Sequence, residues 1–508
     1  MTGGPTVARG SLAQPGSVSA ALARDRLGVP SVVYFVLAGV APLTVTAGVI
    51  TTAYAVTGLT SVPAAFIVVA VVLSLFSVGY VAMARHISNA GAFYAFITRG
   101  LGREAGVAGA LIALLAYNLL QVGLYGMLGP AVEGYVQQKA GVDVKWWIWA
   151  LAAWAVVTVL GLIRVDISGR VLGALLTLEV LVIAALTVEG AMHPAGGHVT
   201  FSTLNPGELT KGGIGAVLAI AVLGYTGFEQ SPVYAEEARD SRRTIPAATY
   251  FSLAVIGVLY AAASWVLSLH YGVSQVAAVA AQQGPGMLFA LGSNVLNNAG
   301  QVLFMTSLFA AALAFHNACW RYSFALGREH VLPGSFGRTG VNGVPKTASA
   351  VQSAIGLAVI LAYAAGGWNP QNDLFFWLGT TGGYGILILL ALTSIAVVRF
   401  FALERAGENL WRRLIAPGIS VVVLLVIVYL CTSNYSLLLG YTKPSMPGKV
   451  LPSLFALAAV VGVGWALYLR SRRPQVYEVI GMGPDAATGH GTATPAAAPA
   501  ASLAGEGA

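Results

Sequence analysis

Two carboxylic acids stand alone inside long apolar runs. Glu229 lies in GGIGAVLAIAVLGYTGFEQSP (212–232), and Glu179 lies in LLTLEVLVI (175–183). Ionisable groups in such surroundings are costly and mark functional sites by default. A carboxyl that gains and loses a proton during a cycle can couple transport to a proton gradient. For Glu229 a structural reading stands beside this one: a carboxyl capping a half-helix whose N-terminus attracts negative charge. For Glu179 the parallel reading is a buried neutral acid bonded to a neighbouring helix. A third apolar run carries Asn118, Gln121 and Tyr125, spaced three then four, with Tyr117 beside them. That spacing places them on one helical face. They could line a substrate pocket or bond helix to helix. Thr306 and Ser307 form an adjacent hydroxyl pair in a later run, followed by His316 and Asn317. His316 reads as a packing histidine ahead of a proton relay.

The elements that hold these groups follow from composition. Of 508 residues, 57% are hydrophobic and 9% charged, with mean hydropathy +0.77. A soluble domain carries about 25% charged residues, so this chain is an all-α polytopic membrane protein. A spanning helix needs about 20 apolar residues. Twelve candidates fall near 31–57, 62–84, 105–128, 146–163, 169–191, 212–235, 246–271, 286–323, 347–366, 374–398, 413–433 and 450–469. Residues 1–28 and 473–508 are polar or small and are expected to be disordered. The membrane-embedded body is expected over 29–472. No cleavable signal is expected. Cys319 and Cys431 are placed toward opposite faces, against a disulfide.

Charge distribution sets the orientation. With twelve spans, every one of the 21 arginines and Lys346 falls on one side, and only Lys139, Lys145, Lys211, Lys443 and Lys449 on the other. The positive-inside rule makes the arginine side cytoplasmic, with both termini. The same distribution accounts for the net charge of +8 without nucleic acid.

Two spans look broken. The sixth carries GYTGFEQ followed by Ser231 and Pro232. The first carries APLTVTAG (41–48), with Pro42 mid-span and Thr44, Val45, Thr46, Ala47 and Gly48 after it. A break within the membrane is tolerated only where it is buried or lines a polar cavity. Spans 1–5 (about 30–191) and 6–10 (about 212–400) then read as two repeats, inverted because each has an odd number of helices, with extra helices over 411–470. Paired breaks are the strongest sequence pointer to a transporter's central site. Half-helix N-termini attract anionic groups and free carbonyls attract ammonium groups. The candidate substrate-binding residues are therefore Pro42, Thr44, Val45, Thr46, Ala47, Gly48, Asn118, Gln121, Gly224, Tyr225, Thr226, Gly227 and Phe228.

Three motifs carry a family resemblance: GFEQSPVYAEEARDSRRTIPAA (227–248), SVGYVAMARHISNAGAFYAFITRGLGREAG (77–106) and RYSFALGREHVLPGSFGRTGVNGVPKTAS (321–349). In this order they resemble the amino acid–polyamine–organocation transporters, in particular bacterial amino acid permeases, over roughly 30–400. The resemblance implies a five-plus-five inverted repeat of the LeuT-like kind, alternating access, and a substrate held between the broken first and sixth spans. The family's Gly-Ser-Gly type run at the first break reads APLTVTAG here. An aromatic that closes over substrate in some members is Leu223 here, which leaves Tyr225 or Phe228 for that part. Some proton-coupled members carry a lysine near the position of Glu179. In sodium-coupled relatives a hydroxyl pair like Thr306 and Ser307 ligates the ion. Thr380, Thr381, Gly382 and Gly383 are expected to allow close packing of the tenth span on the first and sixth.

The expected function is a secondary active permease of the bacterial inner membrane, importing an amino acid or related amine with a proton. A polyamine or amino-acid exchanger and a sodium symporter are the alternatives, with a non-transporting sensor further off. No phosphate-binding GxxxxGK[ST] loop, HExxH or Cys/His cluster occurs, so no enzyme activity, metal or cofactor is expected.

Overall fold

A computed structural model describes residue 22 and residues 26–162, 165–210, 214–340, 343–404 and 406–488. Eleven described helices are long and apolar enough to cross a membrane. A shorter apolar helix, Trp146–Gly161, occupies the expected place of the fourth span. The chain is a multi-pass membrane protein. Side chains on its outer surface are apolar and exposed, among them Val156, Leu181, Val258, Val422 and Val460, as lipid contact requires.

The third span, Arg103–Ala140, has 38 residues and is about 57 Å long, well beyond the ~30 Å hydrocarbon core. It packs against the eighth (Asn294–Arg328), tenth (Pro370–Leu403) and twelfth (Met446–Arg472) spans. Small residues allow this. A Cβ on Gly382 would stand 2.8 Å from the Ala116 carbonyl of the third span, and one on Gly383 would stand 2.3 Å from Leu223 of the sixth. The tenth span thus packs through Gly382 on the third span, where the sequence suggested the first.

Both expected breaks are present. The first span (Val29–Thr57) turns at Ala41, which is left-handed with φ 52°. Helix resumes at Pro42 and widens into a π-turn over Val45–Val49, closed by Ile50 N–H donating to Val45 C=O. The break itself is the single residue Ala41, between helix ending at Val40 and helix starting at Pro42, and the second irregularity is the π-turn Val45–Val49, so the expected stretch 41–48 holds the break and most of the π-turn. Proline lacks an N–H and suits the first turn of a helix, so it starts the second half instead of disrupting it. The sixth span runs as helix over Ile214–Tyr225, turns at Gly227 (φ 115°) and continues as a 3₁₀ segment, Phe228–Tyr234.

The face bearing the arginines is tightly built. Arg26 and Leu27 N–H groups donate to Glu237 C=O, and Arg239 N–H donates to Leu27 C=O. A short helix, Phe93–Leu101, lies between the second and third spans. Of the ends expected to be disordered, residues 1–21, 23–25 and 489–508 lie outside the described residues. Residues 474–488 correct that expectation: they form a helix, Pro474–Val479, and a 3₁₀ turn, Gly483–Thr488, packed against the body. Ile480 is buried there. Cys319 and Cys431 are both buried and unpaired.

Candidate functional site

The two breaks touch. A Cβ on Gly227 would stand 2.7 Å from the Gly39 carbonyl carbon and from the Val40 nitrogen. The close approach and the positive φ both require glycine here. Beside this contact lies a cavity of about 80 Å³. The first span lines it from Gly39 to Thr52, with Thr44, Val45 and Gly48 among the lining residues. The third span adds Leu120, Gly123 and Leu124, the sixth adds Ile220, Leu223 and Thr226, and the eighth adds Ala311 and Phe315. Phe375, Phe376, Gly379 and Thr380 of the tenth span complete it. None of the lining residues is charged. The hydroxyls of Thr226 and Thr380 are buried and have no hydrogen-bond partner among the described residues. Such groups cost about 1–3 kcal/mol unless something bonds to them.

A second, larger cavity of about 620 Å³ lies on the face away from the arginines, bordered by Thr51, Met127, Asn369, Gln371, Trp377 and Tyr441. It shares Gly48, Thr52, Phe375 and Phe376 with the inner cavity. The two phenylalanines stand between the two spaces. They sit on a π-turn, Pro370–Phe376, closed by Trp377 N–H donating to Asn372 C=O. Wide turns of this kind recur at functional sites.

Several sequence candidates lie elsewhere. Asn118 and Gln121 do not line the cavity. Gln352 of the ninth span (Lys346–Gly366) donates to both of them, at 2.9 Å to Asn118, and Gln121 also meets His316 at 3.3 Å. His316 in turn meets Ser349 at 3.1 Å. The face ties spans three, eight and nine together. Tyr225 donates to Phe66 C=O at 2.9 Å and Phe228 packs edge-on against Phe76, so neither covers the cavity; Phe375 and Phe376 hold that position. Gly224 packs against Phe66 and Val45. Thr46 bonds back to Pro42 C=O at 2.9 Å. Pro42 and Ala47 are buried in the first span outside the lining.

Glu229 clamps the break. One carboxyl oxygen accepts from Tyr117 Oη at 2.9 Å, and the other accepts from Gly227 N–H at 2.7 Å. Tyr80 donates to the Glu229 carbonyl at 2.7 Å. Its partners are the second and third spans and its own turn, not the first span. Glu179 is different. Its carboxyl faces the Ser307 hydroxyl and the Leu43 backbone N–H, while Oε2 is buried with no partner among the described residues. Thr44 Oγ1 donates to Ser307 Oγ at 3.2 Å. Thr306 bonds back to Leu303 C=O, so of that pair only Ser307 meets the first span.

Two ion pairs escaped the sequence reading. Arg321 grips Glu237 at 2.8 and 3.2 Å, and Arg328 grips Glu236 at 2.8 Å through both terminal nitrogens. Arg321 lies 4.0 Å from the Trp320 ring and 4.7 Å from that of Tyr234. The signal was present: two arginines seven residues apart share a helix face, and two adjacent glutamates follow the broken sixth span. These pairs close the arginine-bearing face beneath the breaks.

A helical bundle with two touching breaks, a small cavity beside them and one closed face is the architecture of a membrane transporter for small solutes. The chain belongs to the amino acid permease family, whose pattern it matches over residues 31–477. It is 26% identical over 247 residues to the branched-chain amino acid permease BcaP of Lactococcus lactis subsp. cremoris, covering 48% of this chain and 50% of that one. It is 24% identical over 297 residues to the low-affinity putrescine importer PlaP of Escherichia coli, covering 55% and 63%. The chain thus spans half to under two thirds of the length of these two relatives. An uncharacterized transporter of Mycobacterium tuberculosis is 23% identical over 392 residues, covering 71% and 78%.

Proposed function

We propose that this chain imports a neutral amino acid with an aliphatic side chain across the bacterial inner membrane, coupled to a proton, with both ends in the cytoplasm. The uncharged lining of the cavity at the two breaks carries this reading. Backbone groups of Gly39–Ala41 and the hydroxyls of Thr226 and Thr380 would take the ammonium and carboxylate of a zwitterion. Leu120, Leu124, Ile220 and Phe315 would take its side chain. A diamine needs a counter-charge at each end, and burying an unpaired ammonium costs several kcal/mol. Of the two named relatives, the branched-chain permease agrees with this lining and the putrescine importer does not.

At about 80 Å³ the cavity is smaller than the ~150 Å³ that holds benzene, so a whole amino acid fits only once the lining moves. A substrate would enter as Phe375 and Phe376 move toward the larger cavity. Glu179 is the proposed proton carrier, since its unpartnered oxygen lies where the first and eighth spans meet. Glu229 would hold the sixth-span turn through Tyr117. A second reading, sodium symport, draws on the oxygens of Thr44, Ser307 and Glu179 gathered at one point.

Liposomes containing the purified protein decide between them. Radiolabelled leucine should accumulate when a pH gradient is imposed, acid outside, without sodium. Accumulation only when a sodium gradient is present would replace the proton with sodium. Absence of saturable uptake of any amine-bearing compound would remove the transport reading.

A further inference from the structure

The most heavily bonded carboxylate of the arginine-bearing face belongs to neither the cavity nor the ion pairs. Glu329, directly after the eighth span, is fully buried. Its Oε2 accepts from Gly481 N–H at 2.6 Å and its Oε1 from Gly483 N–H at 2.7 Å. Tyr94 Oη donates to Oε2, and Asn89 Nδ2 donates to Oε1 at 3.3 Å. Both glycines have positive φ, 82° and 64°. A Cβ on Gly481 would stand 2.5 Å from Thr98 Cγ2, and one on Gly483 would stand 3.0 Å from Asn89 Nδ2. The site thus fits a Gly-Met-Gly backbone and rejects side chains at its two ends. Upstream, Tyr477 donates to Glu104 at 2.6 Å and Arg103 donates to the Glu478 carbonyl at 2.9 Å.

The docked segment lies beside a seam. On one side, the end of the eighth span holds Glu236 through Arg328. The 88–91 turn also holds Glu236, through Ala90 N–H at 2.8 Å, while its Asn89 side chain holds Glu329. Pro484 borders a small cavity with Leu22, Ser88, Ala235 and Glu236. The segment therefore bonds to the end of the eighth span, to Tyr94 of the short helix Phe93–Leu101 (Gly481 N–H to Tyr94 Oη, 3.0 Å) and to the start of the third span, next to the loop that follows the broken sixth span. Opening this face must part Glu236 from Arg328 and from Ala90. Charge-assisted hydrogen bonds are roughly twice as strong as neutral ones, and two of them fix the segment on Glu329, which sets Pro484 against the cavity bordered by Ala235 and Glu236.

We propose that Glu329, Asn89, Tyr94 and Thr98 form a docking site for the chain's own residues 481–483, and that the docked segment holds the arginine-bearing face closed. Detachment of the segment then raises the frequency with which that face opens. This goes beyond the transport reading and does not depend on the substrate.

The test uses Ala235→Cys, a position buried in the closed face, in a Cys319→Ala, Cys431→Ser background, labelled with a polar maleimide in detergent. The chain cut after Thr488 keeps the segment and should label as slowly as the full chain. Full-length Gly481→Val should label about tenfold faster, the factor expected for losing one hydrogen bond to a charged group, and the chain cut after Arg473, which loses two, at least as fast. A synthetic peptide spanning 474–488 should slow the chain cut after Arg473 again, which an unfolded protein would not show. Equal labelling rates for all four chains overturn the proposal, and so does fast labelling that the peptide leaves unchanged.

Discussion

At the scale of single residues, the two intramembrane acids divide the work. Glu229 has both carboxyl oxygens bonded; Glu179 has one left over. Replacement by glutamine separates them. Glu229→Gln turns one acceptor into a donor facing Tyr117 or Gly227, so it should destabilise the protein, by about 1–3 kcal/mol, while the pH gradient still drives uptake. Glu179→Gln should keep substrate exchange and lose gradient-driven accumulation. Thermal melts in detergent and paired exchange and accumulation assays in liposomes check both. Thr380→Val removes one hydroxyl from the cavity at nearly constant volume. It should raise the half-saturating substrate concentration about fivefold, the worth of one hydrogen bond near 1 kcal/mol, measured by concentration-dependent uptake. Thr226 was legible in the sequence because it sits between two glycines in an apolar run. Thr380 read only as a small packing residue, since nothing local distinguishes a hydroxyl that faces a cavity from one that faces a carbonyl. Asn118 and Gln121 were legible as an interior polar face, but their partner Gln352 is 231 residues or more away in sequence.

At the scale of elements, the site rests on two helices that stop and restart against one another. Pro42 advertised the first break, yet the break precedes it, because proline starts a helix more easily than it interrupts one. Gly39, which the motif APLTVTAG left out, supplies the contact with Gly227. The sequence cannot show that pairing, since it depends on how two distant helices cross. Gly227→Ala places a methyl against the Gly39–Val40 backbone at positive φ, where strain costs on the order of 1–3 kcal/mol. It should abolish uptake and lower the melting temperature; wild-type uptake would show that the breaks need not touch. On the tenth span, Phe375→Ala removes part of the partition between the cavities. Competition assays should then show inhibition by bulkier amino acids such as phenylalanine, which the unaltered protein resists.

At the scale of the molecule, one face is shut and the other carries the larger cavity. The buried pairs Arg321–Glu237 and Arg328–Glu236 suit a closure that must reopen: desolvation offsets much of the Coulombic gain in such a pair, whereas removing one partner costs about 3–5 kcal/mol. Glu237→Gln should therefore loosen the closed state and speed labelling of Ala235→Cys. The multi-pass helical class was readable from hydropathy alone, with eleven described spans and one shorter apolar helix where twelve were expected. The closure was not, because glutamates in one loop and arginines at the end of a distant span meet only in three dimensions. On the proposed reading, the cavity at the breaks accepts a neutral aliphatic amino acid. Uptake into liposomes with an imposed pH gradient, using radiolabelled leucine and putrescine side by side, tests it most directly. Saturable leucine accumulation that collapses with a protonophore and is unaffected by excess putrescine is the predicted result. Saturable putrescine accumulation, or putrescine competing fully with leucine, would contradict it.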